Sequence, residues 1–234
     1  MSAEFAIVPA GDASLVVEFE ERIDTKVASR VVLLAERVRL ASLPGILDIV
    51  PTFRSLAVHF DPLRADTGHV VRVLTALASE HTPEADGTDT PMRVPVCYGG
   101  AFGPDLEHVA ACAGLDAATV VSLHTAIVYR VFMLGFAPGF AYLGPLDDRI
   151  AVPRRPTPRT RVLAGSVAIA GKQTGVYPLD SPGGWQVIGR TPLRPFDLAR
   201  AEPFLFKAGN RVEFYAVDRE EYDGTSVHSS RVQT

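Results

Sequence analysis

Clusters of glycine and proline divide the C-terminal half of this chain into short segments. The clusters are GFAPGFAYLGP (135–145), PRRPTP (153–158), DSPGGW (180–185) and FKAGN (206–210). Glycine and proline interrupt helices and favour turns, so this part of the chain cannot form long helices. The segments between the clusters are rich in β-branched and aromatic residues: Ile127–Leu134, Val162–Ala170, Trp185–Ile188 and Arg211–Val217. Short strands with long glycine- and proline-rich connections predict a closed or nearly closed β-barrel.

The N-terminal part alternates between strand and helix patterns. Thr25–Leu40 carries an apolar stripe at helical spacing, and Asp66 is a suitable N-cap for a second helix. Strands are predicted at Ser14–Phe19, Ile46–Val50 and Phe53–Phe60. This order predicts a small α/β sandwich, so the fold class is α+β with a barrel following it.

A polar, acidic segment bracketed by prolines, HTPEADGTDTP (81–91), separates the two patterns. We therefore predict an N-terminal domain at 1–82, a linker at 83–91 and a barrel domain at 92–234. The second domain begins with a predicted strand, Met92–Cys97. Two predicted helices follow, one from Asp105 to Gly114 and one from Asp116 to about His124.

The composition is that of an ordinary globular protein, with 47% hydrophobic and 21% charged residues. The sequence has no apolar run long enough for a membrane span and no signal peptide at its start, which predicts a cytoplasmic location and no membrane. Cys97 and Cys112 lack metal-ligand spacing and are predicted to be buried or half-buried thiols.

The net charge of −4 is unevenly distributed. Residues 149–196 contain eight basic residues and one acidic residue, a local charge of about +7. An acidic chain is a poor partner for nucleic acid, whereas a local positive field suits a small carboxylate or phosphate. Alternatively, these arginines pair with acidic residues elsewhere in the fold.

The segment Gly165–Lys172 resembles a phosphate-binding P-loop but has five residues between its glycines and Gln173 after the lysine. The P-loop requires four residues and then Ser or Thr. We interpret this segment as a strand.

The loop 135–144 holds three glycines, a proline and three aromatic residues. It is either a structural loop at a barrel end or the wall of a ligand pocket. The wall would comprise Phe136, Pro138, Gly139, Phe140 and Tyr142.

Three further features are candidates for chemistry. The proline-stiffened arginines Arg154, Arg155 and Arg159 could clamp an anion. Gly183 and Gly184 precede Trp185, which is either a core anchor or a ligand platform. His124 lies near a helix end, where it either interacts with the helix dipole or acts in proton transfer.

Four motifs together resemble one family: LHTAIVYRVFMLGFAPGFAYLG (123–144), PRRPTPRTRV (153–162), AGSVAIAGKQTGVYP (164–178) and SPGGWQVIGRTPLRPFD (181–197). This is the KipI family, the B-type subunits of 5-oxoprolinase, also called allophanate hydrolase subunit 1. The resemblance covers the whole chain and is densest from His124 to Asp197. We would have expected Pro at Ala141, Gly at Pro145 and Gly at Ala168.

The resemblance implies a cyclophilin-like β-barrel and two partners from the same enzyme, a KipA-like subunit of the C type and a further subunit of the A type. Together they would open 5-oxo-L-proline to L-glutamate with ATP, with Mg, at a site shared with or owned by a partner. By this resemblance Arg154, Arg155 and Arg159 bind anions, and His124 transfers or orients a proton. Phe136, Phe140, Tyr142 and Trp185 form the pocket wall, and Gln173, Ser166 and Tyr177 donate or accept hydrogen bonds with the substrate.

Two alternatives stay open: docking to a sensor histidine kinase as an inhibitor, and an accessory role in urea or allophanate hydrolysis. The catalytic interpretation requires the glycine-rich loops and the arginine segment to meet at one mouth of the barrel.

Overall fold

The computed structural model describes residues 5–22, 24–80 and 90–231. The chain divides into two compact units, residues 1–88 and 89–234. Residues 81–89 are not described and include most of the linker predicted at 83–91, so the boundaries 82/83 and 91/92 stay predictions.

The described part of the first unit is one antiparallel sheet with two helices. Its strands lie in the order β1-β2-β4-β3. The elements are β1 (Ala6–Pro9), β2 (Ser14–Glu18), α1 (Thr25–Leu40), β3 (Ile46–Pro51), β4 (Ser55–Phe60) and α2 (Thr67–Ser79). Apolar residues of β2, β4 and both helices form a single core, which gives the predicted α/β sandwich.

Local signals determine both helices of this unit. The apolar stripe of α1 is buried as predicted: Val27, Val31, Leu34 and Val38. The carboxylate of Asp66 accepts a hydrogen bond from the backbone N–H of His69 at 3.0 Å, which confirms it as the N-cap of α2. Strand β1 was not predicted, because its side chains are mostly exposed and show no alternation.

The second unit is a closed barrel with helices outside it. Its elements are β5 (Met92–Tyr98), α3 (Leu106–Ala113), α4 (Ala117–Thr125), β6 (Val128–Leu134), β7 (Ala141–Gly144), a short 3-10 turn (Asp148–Ile150), β8 (Arg159–Val162), β9 (Ser166–Ala170), β10 (Gln173–Val176), β11 (Ser181–Gly183), β12 (Gln186–Arg190), β13 (Arg211–Ala216) and α5 (Arg219–Arg231). The barrel order is β10-β7-β6-β13-β5-β12-β9, and β8 pairs with β11 beside it. The predicted fold class, α+β with a small unit followed by a β-barrel, is confirmed.

Side chains fill the barrel interior. Alternate residues of β9 illustrate the pattern, since Val167 and Ile169 belong to the main core while Ala168 and Ala170 belong to a separate cluster on the outer face. The main core includes Tyr129 and Phe214. A ligand site of this barrel therefore has to lie outside its packed interior.

One predicted element needs correction, and one predicted helix is confirmed with a different use of its first residue. The single strand predicted at Val162–Ala170 is divided, because Gly165 has φ +81° and turns the chain between β8 and β9. The helix after Asp105 does form and ends at Gly114, whose φ is +65°, but Asp105 makes no side-chain capping bond. Its carboxylate is used elsewhere.

No single helix within the described residues has the length and apolar character of a membrane span. In that same part of the chain, α3 and α4 together reach this length and apolar character, but the chain bends by 94° between them.

Candidate functional site

The outer face of β9 and β10 is a floor of small residues. Ala168 and Ala170 point outward from β9, and Gly175 occupies the matching face of β10. A Cβ added at Gly175 would lie 3.1 Å from both the Phe140 ring and the Trp185 ring. The small residues therefore let aromatic rings approach the strand backbone closely.

Five rings cover this floor and are called here the outer aromatic cluster: Phe136, Phe140, Tyr142, Tyr177 and Trp185. Phe140 is at the centre, with ring centroids 4.8 Å from Tyr142, 5.1 Å from Tyr177 and 5.5 Å from Trp185, all edge to face. Edge-to-face packing is a preferred geometry of aromatic pairs. Two separate glycine-rich loops thus meet at one place, as predicted, but on the outer wall of the barrel rather than at its mouth.

The segment 181–185 closes the cluster from one side. Burial raises the pKa of Tyr177, and the backbone of Trp185 opposes that rise. Gly183 packs directly against that ring, and a Cβ there would overlap its hydroxyl and its carbon atoms. Gly184 has room for a Cβ, with its nearest neighbour, Pro158, at 3.6 Å. Only the first glycine is required by close packing.

Two of the three predicted clamp arginines are already paired. Asp105, 3% exposed, accepts hydrogen bonds from Arg155 at 2.9 Å and from both terminal nitrogens of Arg159 at 2.7 Å. It also accepts one from the backbone N–H of Val187 at 2.7 Å. We call this the Asp105 staple, because it fixes the segment 153–159 to strand β12. Burial raises the pKa of Asp105, but these hydrogen bonds and the two positive charges outweigh it and hold the pKa below its ordinary value.

Arg154 differs from its neighbours. Its side chain is exposed, and it makes no ion pair with any residue that the structure describes. Burial raises the pKa of Tyr142 and of Tyr177, and the positive charge of Arg154 opposes that rise in both. Of the three arginines, Arg154 is the one placed to meet an anion beside the outer aromatic cluster.

His124 lies on the other side of the barrel wall. It is 0% exposed and stacks on Phe214 of the interior at 4.8 Å. Its Nδ1 is 2.8 Å from the Tyr98 hydroxyl and its Nε2 is 2.8 Å from Thr174 Oγ1. Because Thr174 Oγ1 donates to the Ala168 carbonyl at 3.2 Å, Nε2 carries the hydrogen and Nδ1 accepts from Tyr98.

Complete burial lowers the pKa of His124 to about 3, so the ring is neutral at physiological pH. Thr174 points inward while its neighbours Gln173 and Gly175 point outward. The structure therefore separates His124 from the outer aromatic cluster by the thickness of one strand, and its predicted catalytic role stays a prediction.

The remaining predicted residues surround the cluster at different depths. Pro138 is exposed, and Gly139, with φ +84°, lies under Phe196, 2.7 Å from where its Cβ would be. Ser166 is buried at the start of β9. Gln173 is half-buried on the outer face, and its Nε2 is buried without a hydrogen-bond partner among the described residues.

Sequence reasoning missed Asp105, Tyr98 and Thr174. Asp105 was interpreted as the first residue of a helix, and its arginine partners lie 50 and 54 positions further along the chain. The only signal in the sequence was an acidic residue that could pair with the basic segment, and such a distant pair leaves no recognisable local spacing.

The remaining features are a cavity in the first unit, the possible metal-ligating residues and the segment that resembles a P-loop. A cavity of about 390 Å³ in the first unit lies between α1 and β3, lined by residues such as Val38, Leu43 and Leu47. Among the described residues, no three His, Cys, Asp or Glu side chains are grouped to hold a metal ion. The segment 165–172 is β9 and its following turn, and Lys172 pairs with Asp148, so it is not a P-loop.

Known proteins resemble this chain over nearly its whole length. The chain is 38% identical over 232 residues to the 5-oxoprolinase subunit designated B from Bacillus subtilis strain 168, covering 95% of this chain and 97% of the relative. Crystalline TTHA0988 superposes with a TM-score of 0.79 at 38% identity, over 88% of this chain and 40% of that longer chain. The urea amidolyase of Kluyveromyces lactis superposes with a TM-score of 0.76 at 23% identity, over 94% of this chain and 15% of that one, which shows a shared fold alone.

The family model for the carboxyltransferase domain, subdomain C and D, matches residues 5–206. The resemblance to B-type 5-oxoprolinase subunits drawn from the four motifs is confirmed, and the chain belongs to the family of carboxyltransferase subdomains C and D.

Proposed function

We propose that this chain is the substrate-holding subunit of an ATP-dependent 5-oxoprolinase, in which it binds 5-oxo-L-proline on the outer aromatic cluster. The Bacillus relative carries the name of a 5-oxoprolinase subunit and is matched over 97% of its length, which supports this choice of reaction. The observation that carries the site assignment is the exposed Arg154 in a segment that is hydrogen-bonded to both neighbours of Trp185. The Pro153 carbonyl accepts from Gln186 Nε2 at 3.1 Å, and the Arg155 N–H donates to the Gly184 carbonyl at 2.7 Å.

The substrate combines a carboxylate, a flat lactam and an apolar ring edge. A guanidinium forms charge-assisted hydrogen bonds with a carboxylate, and aromatic walls suit the ring. Arg154 would bind the carboxylate, and the half-buried Tyr142 would contact the ring on a surface that the buried Phe140 and Trp185 support from below. Arg155 and Arg159 would act indirectly, because the Asp105 staple they form holds the backbone of the segment that carries Arg154.

A lactam is a poor electrophile, and its oxygen needs activation before water opens the ring. ATP, bound with Mg, supplies the phosphoryl group for that activation when it is present in the complex. The described residues of this chain offer no P-loop, so we assign nucleotide binding to a partner, either the KipA-like subunit of the C type or the subunit of the A type. This chain would hold the ring, exclude water from its apolar face and fix the carboxylate.

Gln173 is the described polar side chain best placed to contact the lactam. It lies on the outer face of the barrel, with an amide nitrogen that lacks a partner among the described residues. His124 would act as a positioning residue, because its bond to Thr174 fixes strand β10 from the inside while Gln173 and Gly175 face outward.

The test is ATP-dependent glutamate release from 5-oxoproline by the complex reconstituted with its partner subunits. Arg154→Gln should raise KM for 5-oxoproline about 10–100-fold, the effect of losing a hydrogen bond between charged groups. The matched control is Arg161→Gln, an exposed arginine of the same basic stretch that pairs with Asp180. Glutamate release that persists without this chain would reject the proposal and leave the chain a regulator.

The two alternative functions have less support. The structural likeness to urea amidolyase is at 23% identity and concerns the fold. Docking to a histidine kinase is favoured by no feature of the described residues.

A further inference from the structure

Phe136 is exposed although it belongs to an aromatic cluster. Its side chain is 64% exposed, whereas Phe140, Tyr177 and Trp185 are buried. It touches the cluster only by its ring, with centroids 5.4 Å from Phe140 and 6.4 Å from Tyr177, both edge to face. An exposed phenylalanine contributes little to folding, since most of its apolar surface stays in water.

The backbone of Phe136 is also strained. Its φ is +67°, a region that bulky L-residues rarely occupy. The N–H of Ala137 donates to the carbonyl of Gly135 at 2.8 Å, so Phe136 is the central residue of a three-residue turn. In this turn the positive-φ form is rare and strained.

The strain is imposed by the rest of the loop. The N–H of Gly135 donates to the Phe140 carbonyl at 3.1 Å, and the N–H of Phe140 donates to the Ala137 carbonyl at 2.9 Å. Glycine would occupy position 136 without strain, as it does at Gly139, φ +84°, in the same loop. Phe136 therefore places a large apolar side chain at a position where it strains the backbone and gains little stability from burial. This is the pattern expected of a functional residue.

We propose that Phe136 is the cap of the substrate site: its ring rests on Phe140 and Tyr177 and packs against the planar lactam of the bound substrate. This inference rests on the proposed function. The location supports a small ligand, because the ring adjoins Tyr177 of the same cluster as Trp185, and hydrogen bonds hold the segment carrying the exposed Arg154 to both neighbours of Trp185. A substrate whose carboxylate binds Arg154 would place its ring next to Phe136.

The experiment compares Phe136→Ala, Phe136→Gly and Phe136→Tyr in the reconstituted complex. Alanine and glycine both remove the ring, so both should raise KM for 5-oxoproline about 5–10-fold, the effect of one lost aromatic contact. Tyrosine keeps the ring and should keep KM. Leu198→Ala, which shortens another exposed apolar side chain outside the cluster, should leave KM unchanged.

The melting temperature should depend on the backbone strain at position 136 and not on the presence of the ring. The glycine variant should melt about 2–4 °C above the alanine variant, because only glycine relieves the positive φ. Equal KM values together with unequal melting temperatures would support a strained residue retained for binding.

Three results would overturn the proposal. If Arg154→Gln raises KM but both ring-deleting variants leave it unchanged, the proposed function stands and the cap fails. If those variants abolish assembly with the partner subunits, measured by size-exclusion chromatography, while substrate affinity is kept, the ring contacts a protein instead. If the wild-type complex does not convert 5-oxoproline, the proposed function fails and the cap fails with it.

Discussion

Replacing Asp105 by alanine should destabilise the second unit through the Asp105 staple. Its carboxylate is the acceptor for Arg155, Arg159 and the N–H of Val187, and its side chain is 4% exposed. The two arginine side chains are 34% and 26% exposed, so they regain water when the carboxylate is removed. The buried N–H of Val187 does not, and a stranded buried donor costs about 1–3 kcal/mol.

The free energy of unfolding should fall by about 3 kcal/mol, at the low end of the range for breaking a buried ion pair, because the two arginines are partly exposed. For a unit of this size, that loss lowers the melting temperature by about 6–12 °C. Asp105→Asn keeps an acceptor for Val187 and should lose about half as much.

The assay is thermal unfolding followed by the fluorescence of Trp185, the only tryptophan in the chain, which reports on the second unit alone. The control is Asp148→Asn, which breaks the exposed pair with Lys172 and should shift the melting temperature by no more than about 1 °C.

The pH dependence of stability gives a second measurement of the Asp105 staple. The pKa of Asp105 is lower in the folded than in the unfolded chain, so its stabilisation is fully present above the ordinary carboxyl pKa of 3.8. It is lost as the pH falls through the lower folded-state value. The difference between wild type and Asp105→Asn should shrink over that acid range. An Asp105→Ala variant that melts with the wild type, or a difference that does not change with pH, would refute the reasoning.

Two other predictions test the neutral histidine and the glycine packing. Because burial lowers the pKa of His124 to about 3, its imidazole NMR signals should not titrate between pH 8 and 5, and a midpoint near 6.5 would contradict the buried network. Below pH 6.5 His124 binds a proton in the unfolded chain but not in the native state, so the free energy of unfolding falls as the pH becomes more acidic. Chemical denaturation should show a smaller fall for His124→Gln. Gly183→Ala should displace Tyr177, destabilise the unit by about 1–3 kcal/mol and raise KM for 5-oxoproline, while Gly184→Ala should match the wild type in melting and kinetic assays.

Local signals in the sequence predicted most of the helices. The N-caps Asp66 and Asp116 and the left-handed Gly114 act within four residues of their own position, so spacing alone reveals them. The two-unit order followed from the change between helical periodicity and short strands.

The position of the site could not be predicted, because it depends on strand orientation. Ala168 and Ala170 are apolar, as Val167 and Ile169 are, and the sequence does not say which pair faces the interior. The sequence identified the aromatic and glycine-rich loops, but it did not predict that they meet on the outer wall of the barrel.

The residue that pairs with Arg155 and Arg159 could not be predicted from local sequence patterns either. Asp105 meets Arg159 across 54 positions, and only the closed barrel brings them together. The sequence left two uses for the basic segment open, anion binding and internal pairing. The structure shows internal pairing for Arg155 and Arg159, and it leaves Arg154 without an ion pair among the described residues.

Strand β13 has a consequence for how the chain is synthesised. It pairs in parallel with β5 and antiparallel with β6, so the strand added last lies between two of the earliest strands of its unit. Until residue 216 has left the ribosome, β5 and β6 each present an unpaired edge to solvent or to another nascent chain. The unit cannot mature from its N-terminal end as it is made, and shortened chains that end before residue 211 should aggregate rather than accumulate as partial barrels.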